Sequence, residues 1–187
     1  FEMPQEIKME EATATDSFAR FIAEPFEKGL GHTVGNALRR TLLTFLEAPA
    51  IIAIRFEGVP HEYMAIEGIV EDMVHIVLNL KNASLRYLPL GEESSREIKV
   101  ISRDVEITQD QLDEQGGYFK VTLGDLIGPC NFEVVNPELH IFTATKPFKR
   151  KVDVRIGIGR GYVPAERHSG FERVMDEIVI DSAFSPV

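Results

Sequence analysis

The chain has 187 residues, 44% of them hydrophobic, which is enough to build one large domain or two small ones around a real core. Asp and Glu number 30 against 20 Lys and Arg, and the formal net charge of -10 repels a phosphate backbone unless cations are concentrated locally, so a free-standing nucleic-acid binder is disfavoured. A single cysteine, Cys130, cannot form an internal disulfide, no apolar run approaches the roughly 20 residues that span a bilayer, and the N-terminus lacks a basic-then-apolar leader, so a soluble cytoplasmic protein is expected.

Between Phe1 and Glu11, Ile7 and Met9 alternate with charged neighbours, which suits a short edge strand. From Ser17 to Glu24 the alternation is clearer, and Pro25 ends that strand because it has no N–H for a ladder. Lys28 to Gly35 contains Gly29, Gly31 and Gly35 and reads as a sharp turn, with Thr33 capping the helix that follows. In that helix Val34, Leu38, Leu42 and Phe45 recur at helical spacing, and Ala37, Leu43 and Leu46 widen the stripe until Pro49. A helix apolar on two sides needs two partners, such as its own sheet and a second chain.

Ala50 to Glu57 is rich in isoleucine and reads as a largely buried strand, followed by a Gly58-Val59-Pro60 turn. Ile66 to Leu80 places Ile66, Ile69, Val70, Met73, Val74, Val77 and Leu80 on one face of a second helix that ends at Lys81-Asn82. Beyond Ala83 come short apolar runs at Leu85 to Leu88, Glu97 to Ile101, Val105 to Thr108, Tyr118 to Leu123, Phe132 to Val135, Leu139 to Phe142 and Phe148 to Ile158. Turn residues separate them, which indicates antiparallel sheet, with Gly116-Gly117 as a hairpin turn. Gly157 to Gly170 reads as an ordered surface loop and Glu177 to Phe184 as one last strand. Helices early and strands late make the fold α+β rather than a doubly wound parallel sheet.

Gly29 to Gly35 follows a strand and opens a helix, as a dinucleotide fingerprint does. Its third glycine comes one residue late and no Gly-Lys-Ser/Thr ending follows, so a structural turn or a partner contact is preferred to a phosphate cradle. Arg39 and Arg40 read either as a solvated face or, beside Leu42 and Leu43, as an interface hot spot. His32, His61, His75, His140 and His168 show no ligand spacing, so neither a metal site nor a cofactor is expected. Glu71 and Asp72 beside His75 suit a surface ion pair better than a general acid and base, and Ser169-Gly170 lacks a nucleophile elbow. Cys130 suits burial as well as reactivity. Gly157 to Ala165 contains Arg160, Tyr162 and Pro164, which favours a protein-contact loop over an anion cradle in an acidic chain.

The run Glu24-Pro25-Phe26-Glu27-Lys28-Gly29-Leu30-Gly31-His32-Thr33-Val34-Gly35-Asn36-Ala37-Leu38-Arg39-Arg40 closely resembles the bacterial RNA polymerase alpha-subunit family, N-terminal region. So do Glu57-Gly58-Val59-Pro60-His61-Glu62-Tyr63, Val77-Leu78-Asn79-Leu80-Lys81, Gly159-Arg160-Gly161-Tyr162-Val163-Pro164-Ala165 and Ser185-Pro186-Val187, in the family's order and across most of the chain. The resemblance implies a discontinuous dimerisation subdomain of strands plus helix, begun by residues 1–47, and an inserted, mainly antiparallel β subdomain with one helix at 48–187. It implies a scaffold that dimerises and recruits the beta and beta-prime subunits for transcription, within a nucleotidyltransferase complex whose active site lies outside this chain.

By motif position, Arg40 and Leu43, with Arg39, His32 and Asn36, take the beta-contact role. Lys81, Ile180, Arg160 and Tyr162 fall to beta-prime or a large-subunit surface, and Val34, Leu38, Leu42 and Phe45 to the dimer interface with a second alpha copy. The chain stops about where the dimerisation subdomain would resume, so weakened dimerisation and no direct DNA contact are expected. Two other classes stand beside this reading: a generic self-associating structural protein built on the apolar helix, and a small nucleotide-binding enzyme using the Gly29 to Gly35 turn.

Overall fold

Apolar and charged residues alternate at the start of the chain, and the computed structural model, which describes residues 2–88, 98–128, 130–168 and 172–187, shows them as two short strands. β1 (Ile7–Met9) pairs antiparallel with β2 (Phe21–Ala23) through Ile7↔Ala23 and Met9↔Phe21. The second strand is shorter than Ser17 to Glu24 because Phe18 turns back to bridge Thr15. α1 (Leu30–Thr44) follows. Of the three glycines expected to build a turn, only Gly29 takes a positive φ, 88°, while Gly31 and Gly35 lie inside the helix. The helix therefore starts ahead of Thr33, whose hydroxyl donates back to the Gly29 carbonyl at 3.5 Å and caps nothing. It also stops at Thr44, short of Pro49. The chain's contacts divide it into two units, Phe1–Leu43 and Thr44–Val187.

The second unit opens with β3 (Glu47–Phe56), whose isoleucines and alanines are almost all buried. After it come α2 (Met73–Leu80), β4 (Leu85–Tyr87), β5 (Lys99–Ile107), α3 (Gln109–Glu114), β6 (Phe119–Thr122), α4 (Leu123–Leu126), β7 (Phe132–Val134), β8 (His140–Ala144), β9 (Phe148–Arg160), β10 (Tyr162–Val163), β11 (Ile178–Val179) and β12 (Ser182–Ala183). A four-stranded sheet in the order β11-β3-β9-β5 forms the centre, with the pairs β4-β7, β6-β8 and β10-β12 beside it. Every described pairing is antiparallel, and the fold is α+β. Ile54 and Phe56 from β3, Val154 and Ile156 from β9, Met73, Ile76 and Leu80 from α2 and Phe142 from β8 share one core.

Tertiary contacts change several expected boundaries. The second helix keeps only its last eight residues, Met73–Leu80. Ahead of it Gly68 takes a φ of 85°, Ile69 bridges Ala144, and the Glu71 carboxylate accepts the Thr143 N–H at 2.6 Å, so this segment is bound to β8 and cannot coil. Asp72 then caps α2 by accepting the His75 N–H at 2.8 Å. Gly116 and Gly117 form no hairpin turn; with φ of 77° and 94° they end α3, and β6 pairs with the later β8. The runs around Ile101 and Val105 are one strand, because Ser102, Arg103 and Asp104 pair opposite Asp153, Val152 and Lys151. Glu97 lies outside the described residues. Gly157 to Arg160 complete β9 and Tyr162–Val163 form β10, so the first part of the expected loop is ladder.

Pro49 lies inside β3, opposite Ile158, where among the described strands β9 pairs with β3 and β11 has not yet joined. Two residues further on, the ladder skips. Ile51 faces Ile156 while Ala53 faces Arg155, so Ile52 is the extra residue of a β-bulge. The bulge reverses the alternation, which lets Ile51 and Ile54 enter the same core while Ile52 packs with Ala50 and Phe184. Its backbone also receives the end of the chain: the Ile180 N–H donates to the Ile52 carbonyl at 2.8 Å, and the buried Ser182 hydroxyl lies 2.8 Å from the Ile51 carbonyl. The expected single strand Glu177 to Phe184 is consequently broken into β11, which pairs with β3, and β12, which pairs with β10.

Candidate functional site

The residues expected to act fall into two groups, one on and just beyond α1 and one spread over the end of α2, β9, β10 and the last strands. On α1 an advance of about 100° per residue puts His32, Asn36, Arg39 and Leu43 in one stripe, with Arg40 at its flank. Val34, Leu38 and Leu42 form a second stripe on roughly the opposite side, and Phe45 lies just beyond the helix end. No residue of α1 is buried. Leu42 is 41% exposed and Phe45 65%, so the apolar stripe stands at the surface of the chain. Gly29 alone of the three glycines has a positive φ, and Gly31 and Gly35 belong to α1, so the three do not share one loop.

The second group lies where the end of α2 meets the last strands. Lys81 is the C-terminal cap of α2, a position at which a cation interacts favourably with the helix dipole. Its ammonium donates to Asp181 Oδ2 at 3.0 Å, across 100 residues of sequence. The other oxygen, Oδ1, accepts the Ala165 N–H at 2.8 Å. Tyr162 pairs in register with Ala183, and with Lys81, Asp181 and Ser182 it lines a small notch of about 80 Å³. The Asp181 carboxyl is held below its usual range, first by the Ala165 N–H and then by Lys81, with burial opposing them and the Tyr162 side chain adding to the lowering. Both charged side chains keep about a third of their surface exposed, 33% for Lys81 and 35% for Asp181.

Arg160 stands at the end of β9 and holds Glu47 through Nε at 2.9 Å and Nη2 at 2.6 Å, the two residues facing each other in the ladder. Phe184 continues this corner. Its N–H donates to the Gly161 carbonyl at 2.7 Å, and a Cβ on Gly159 would stand 2.8 Å from its ring, so only glycine allows the contact. Lys81 and Tyr162 thus reach the surface at one notch, and Arg160 is exposed at the end of the strand two residues before Tyr162. Ile180 does not: its side chain is 1% exposed, and at that point of the chain the surface is formed by Asp181. Asp181 and Glu47 had no local signal in the sequence, because their partners are distant in the chain.

The remaining candidates have structural roles. Asp72 lies 2.6 Å from His75 Nδ1 as part of the helix cap. Glu71 turns the other way, to Thr143 Oγ1 at 3.1 Å, and His140 Nε2 lies 2.9 Å from that same hydroxyl. Cys130 is half-buried, with its Sγ 3.3 Å from the Phe132 carbonyl. Ser169-Gly170 lies outside the described residues. Among the described residues no three His, Cys, Asp or Glu side chains are placed to hold a metal ion, and no helix is long and apolar enough to cross a membrane.

Residues 52–185 match the family described as the RNA polymerase Rpb3/RpoA insert domain. The whole chain aligns with the DNA-directed RNA polymerase subunit alpha of Protochlamydia amoebophila at 58% identity, covering 50% of that protein. It aligns with the subunit of the same name in Leptospira biflexa at 42% identity, again over the whole chain and 54% of the relative. The chain therefore spans about half the length of the curated relatives it matches.

Proposed function

The chain belongs to the RNA polymerase Rpb3/RpoA insert-domain family, and from that premise we propose that it is an assembly scaffold of a bacterial DNA-directed RNA polymerase. In this reading α1 has two roles. Its apolar stripe, Val34, Leu38 and Leu42 with Phe45, packs against a second alpha copy, while the stripe of His32, Asn36, Arg39 and Leu43, with Arg40 beside it, holds the beta subunit. The corner of Lys81, Tyr162 and Arg160 meets beta-prime. Residues 1–47 begin the dimerisation subdomain and 48–187 are the insert, a boundary supported by the division of contacts between Leu43 and Thr44. The work is done in the cytoplasm, with the catalytic groups contributed by the large subunits.

The observation that carries this reading is the convergence of Lys81 and Tyr162 at one preformed corner inside the matched family segment. Arginines, tyrosines and apolar side chains presented on rigid elements are the composition of protein interfaces rather than of small-molecule sites. Capture of purified beta and beta-prime by the immobilised chain is the direct test. Arg40→Ala should reduce capture of beta and leave beta-prime unaffected, and Lys81→Ala should do the reverse, with circular dichroism unchanged in both. Equal capture by wild type and both variants would remove Arg40 and Lys81 from these contact roles.

A further inference from the structure

Lys81 is an awkward contact residue by itself. Its four-carbon stem has many rotamers, and immobilising such a side chain on binding costs conformational freedom. The fold counters this with an anchor that has no assigned role. Asp181 occupies the corner between β11 and β12, and both of its oxygens are engaged by different parts of the unit. The Ala165 N–H fixes Oδ1 at 2.8 Å, and Lys81 Nζ takes Oδ2 at 3.0 Å. The corner itself is rigid, since Ile180 is tied to the Ile52 carbonyl and the Ser182 hydroxyl reaches the Ile51 carbonyl. On the other side α2 is fastened to β8 by the Asn79 side-chain amide, which donates to the Ile141 carbonyl at 2.9 Å.

We propose that Asp181 is the positioning residue of this docking corner, bridging the C-terminus of α2 to the segment after β10 so that the Lys81 ammonium has one place before any partner arrives. The inference rests on the reading that this corner meets beta-prime. It also specifies the chemistry of the contact. The cation is already matched by a carboxylate, so the pair presents a neutral, directional polar surface next to Tyr162 and an 80 Å³ notch. A partner suited to it offers a small side chain for the notch and hydrogen-bonding groups around the pair. A cluster of carboxylates, which an unpaired lysine would attract, meets Asp181 as a like charge.

The test has a partner-free arm and a binding arm. In the free chain, Asp181→Asn should release the Lys81 ammonium, seen by NMR as faster averaging of its ε-CH2 signals, while the fold is kept because asparagine still accepts the Ala165 N–H. Unchanged Lys81 dynamics would overturn the positioning role without touching the docking reading. In the binding arm, affinity for purified beta-prime is measured for wild type, Asp181→Asn, Lys81→Ala and the double variant. Asp181→Asn should weaken binding about tenfold in the wild-type background and very little in the Lys81→Ala background, the coupling expected when one residue acts through another. Independent, multiplicative losses would overturn it. If Lys81→Ala alone leaves affinity unchanged, the docking reading fails, and the NMR arm still decides whether Asp181 orders the lysine.

Discussion

In the unit ending at Leu43 the large apolar side chains Phe21 and Leu38 remain 62% and 56% exposed, whereas in the unit from Thr44 onward Phe56, Met73, Ile76 and Phe142 are sealed from water. The two stretches have similar local signals, strong periodicity and clear punctuation, yet only the second closes a core within itself. An element can be specified by its sequence and still lack the surface that gives it tertiary stability, because helical stability in proteins comes mostly from burying the amphipathic face. Soluble monomers rarely leave a large contiguous apolar patch uncovered. The contrast separates a unit that folds around its own core from one whose large apolar side chains stay exposed on the chain.

That contrast can be broken first in the core. Phe142 is fully buried and its ring lies 5.9 Å from Phe56, so Phe142→Ala should cost about 3–5 kcal/mol in a denaturant melt. A loss under about 1 kcal/mol would mean that this core is loosely packed. The next effect concerns the bulge. Ser182→Ala removes the hydroxyl near the Ile51 carbonyl and should cost about 1–2 kcal/mol by the same measurement. At the surface of α1 the expectation is the opposite: Leu42→Glu should change the melt by less than about 0.5 kcal/mol while lowering self-association in analytical ultracentrifugation. Wild-type chain that stays strictly monomeric at high concentration would show that the stripe needs no cover.

A pH titration sharpens the same division at its smallest scale. The Asp181 carboxyl is lowered from 3.8 in the folded chain, so its contribution is present above that value and is lost as the pH falls through the depressed folded value. The stability difference between wild type and Asp181→Asn should therefore be constant from neutral pH down to the unfolded value and should vanish in stronger acid. A difference that disappears already near pH 6 would exclude the carboxylate as its source. Because the pair is partly exposed, high salt should also shrink it.

Much of the fold could be read in advance. β3, β7, β8 and most of β9 coincide with apolar runs because a strand that is buried needs little beyond β-branched or aromatic residues in sequence. α1 was legible from its spacing and the polymerase-like motif from its residues, although the helix absorbs Gly31 and Gly35 that looked like turn-makers. α3 was missed: with six residues and only Leu112 buried, it is too short to display a period. The site was half legible. Lys81, Arg160 and Tyr162 could be taken from motif positions, but the inward turn of Ile180 and the placing of Asp181 beside Lys81 could not.

By itself the sequence determined the α+β class, the family and the amphipathic helix, since each follows from residue type and spacing within a short window. Only the tertiary structure decided where α2 begins, how the bulge at Ile52 divides the last strand and which carboxylate meets Lys81. The physical reason is common to all three. Glu71 is claimed by Thr143, Ile52 by Ile180 and Asp181 by Lys81, contacts between residues 72, 128 and 100 positions apart, whose partners are fixed by ladder register and packing rather than by neighbours in the chain.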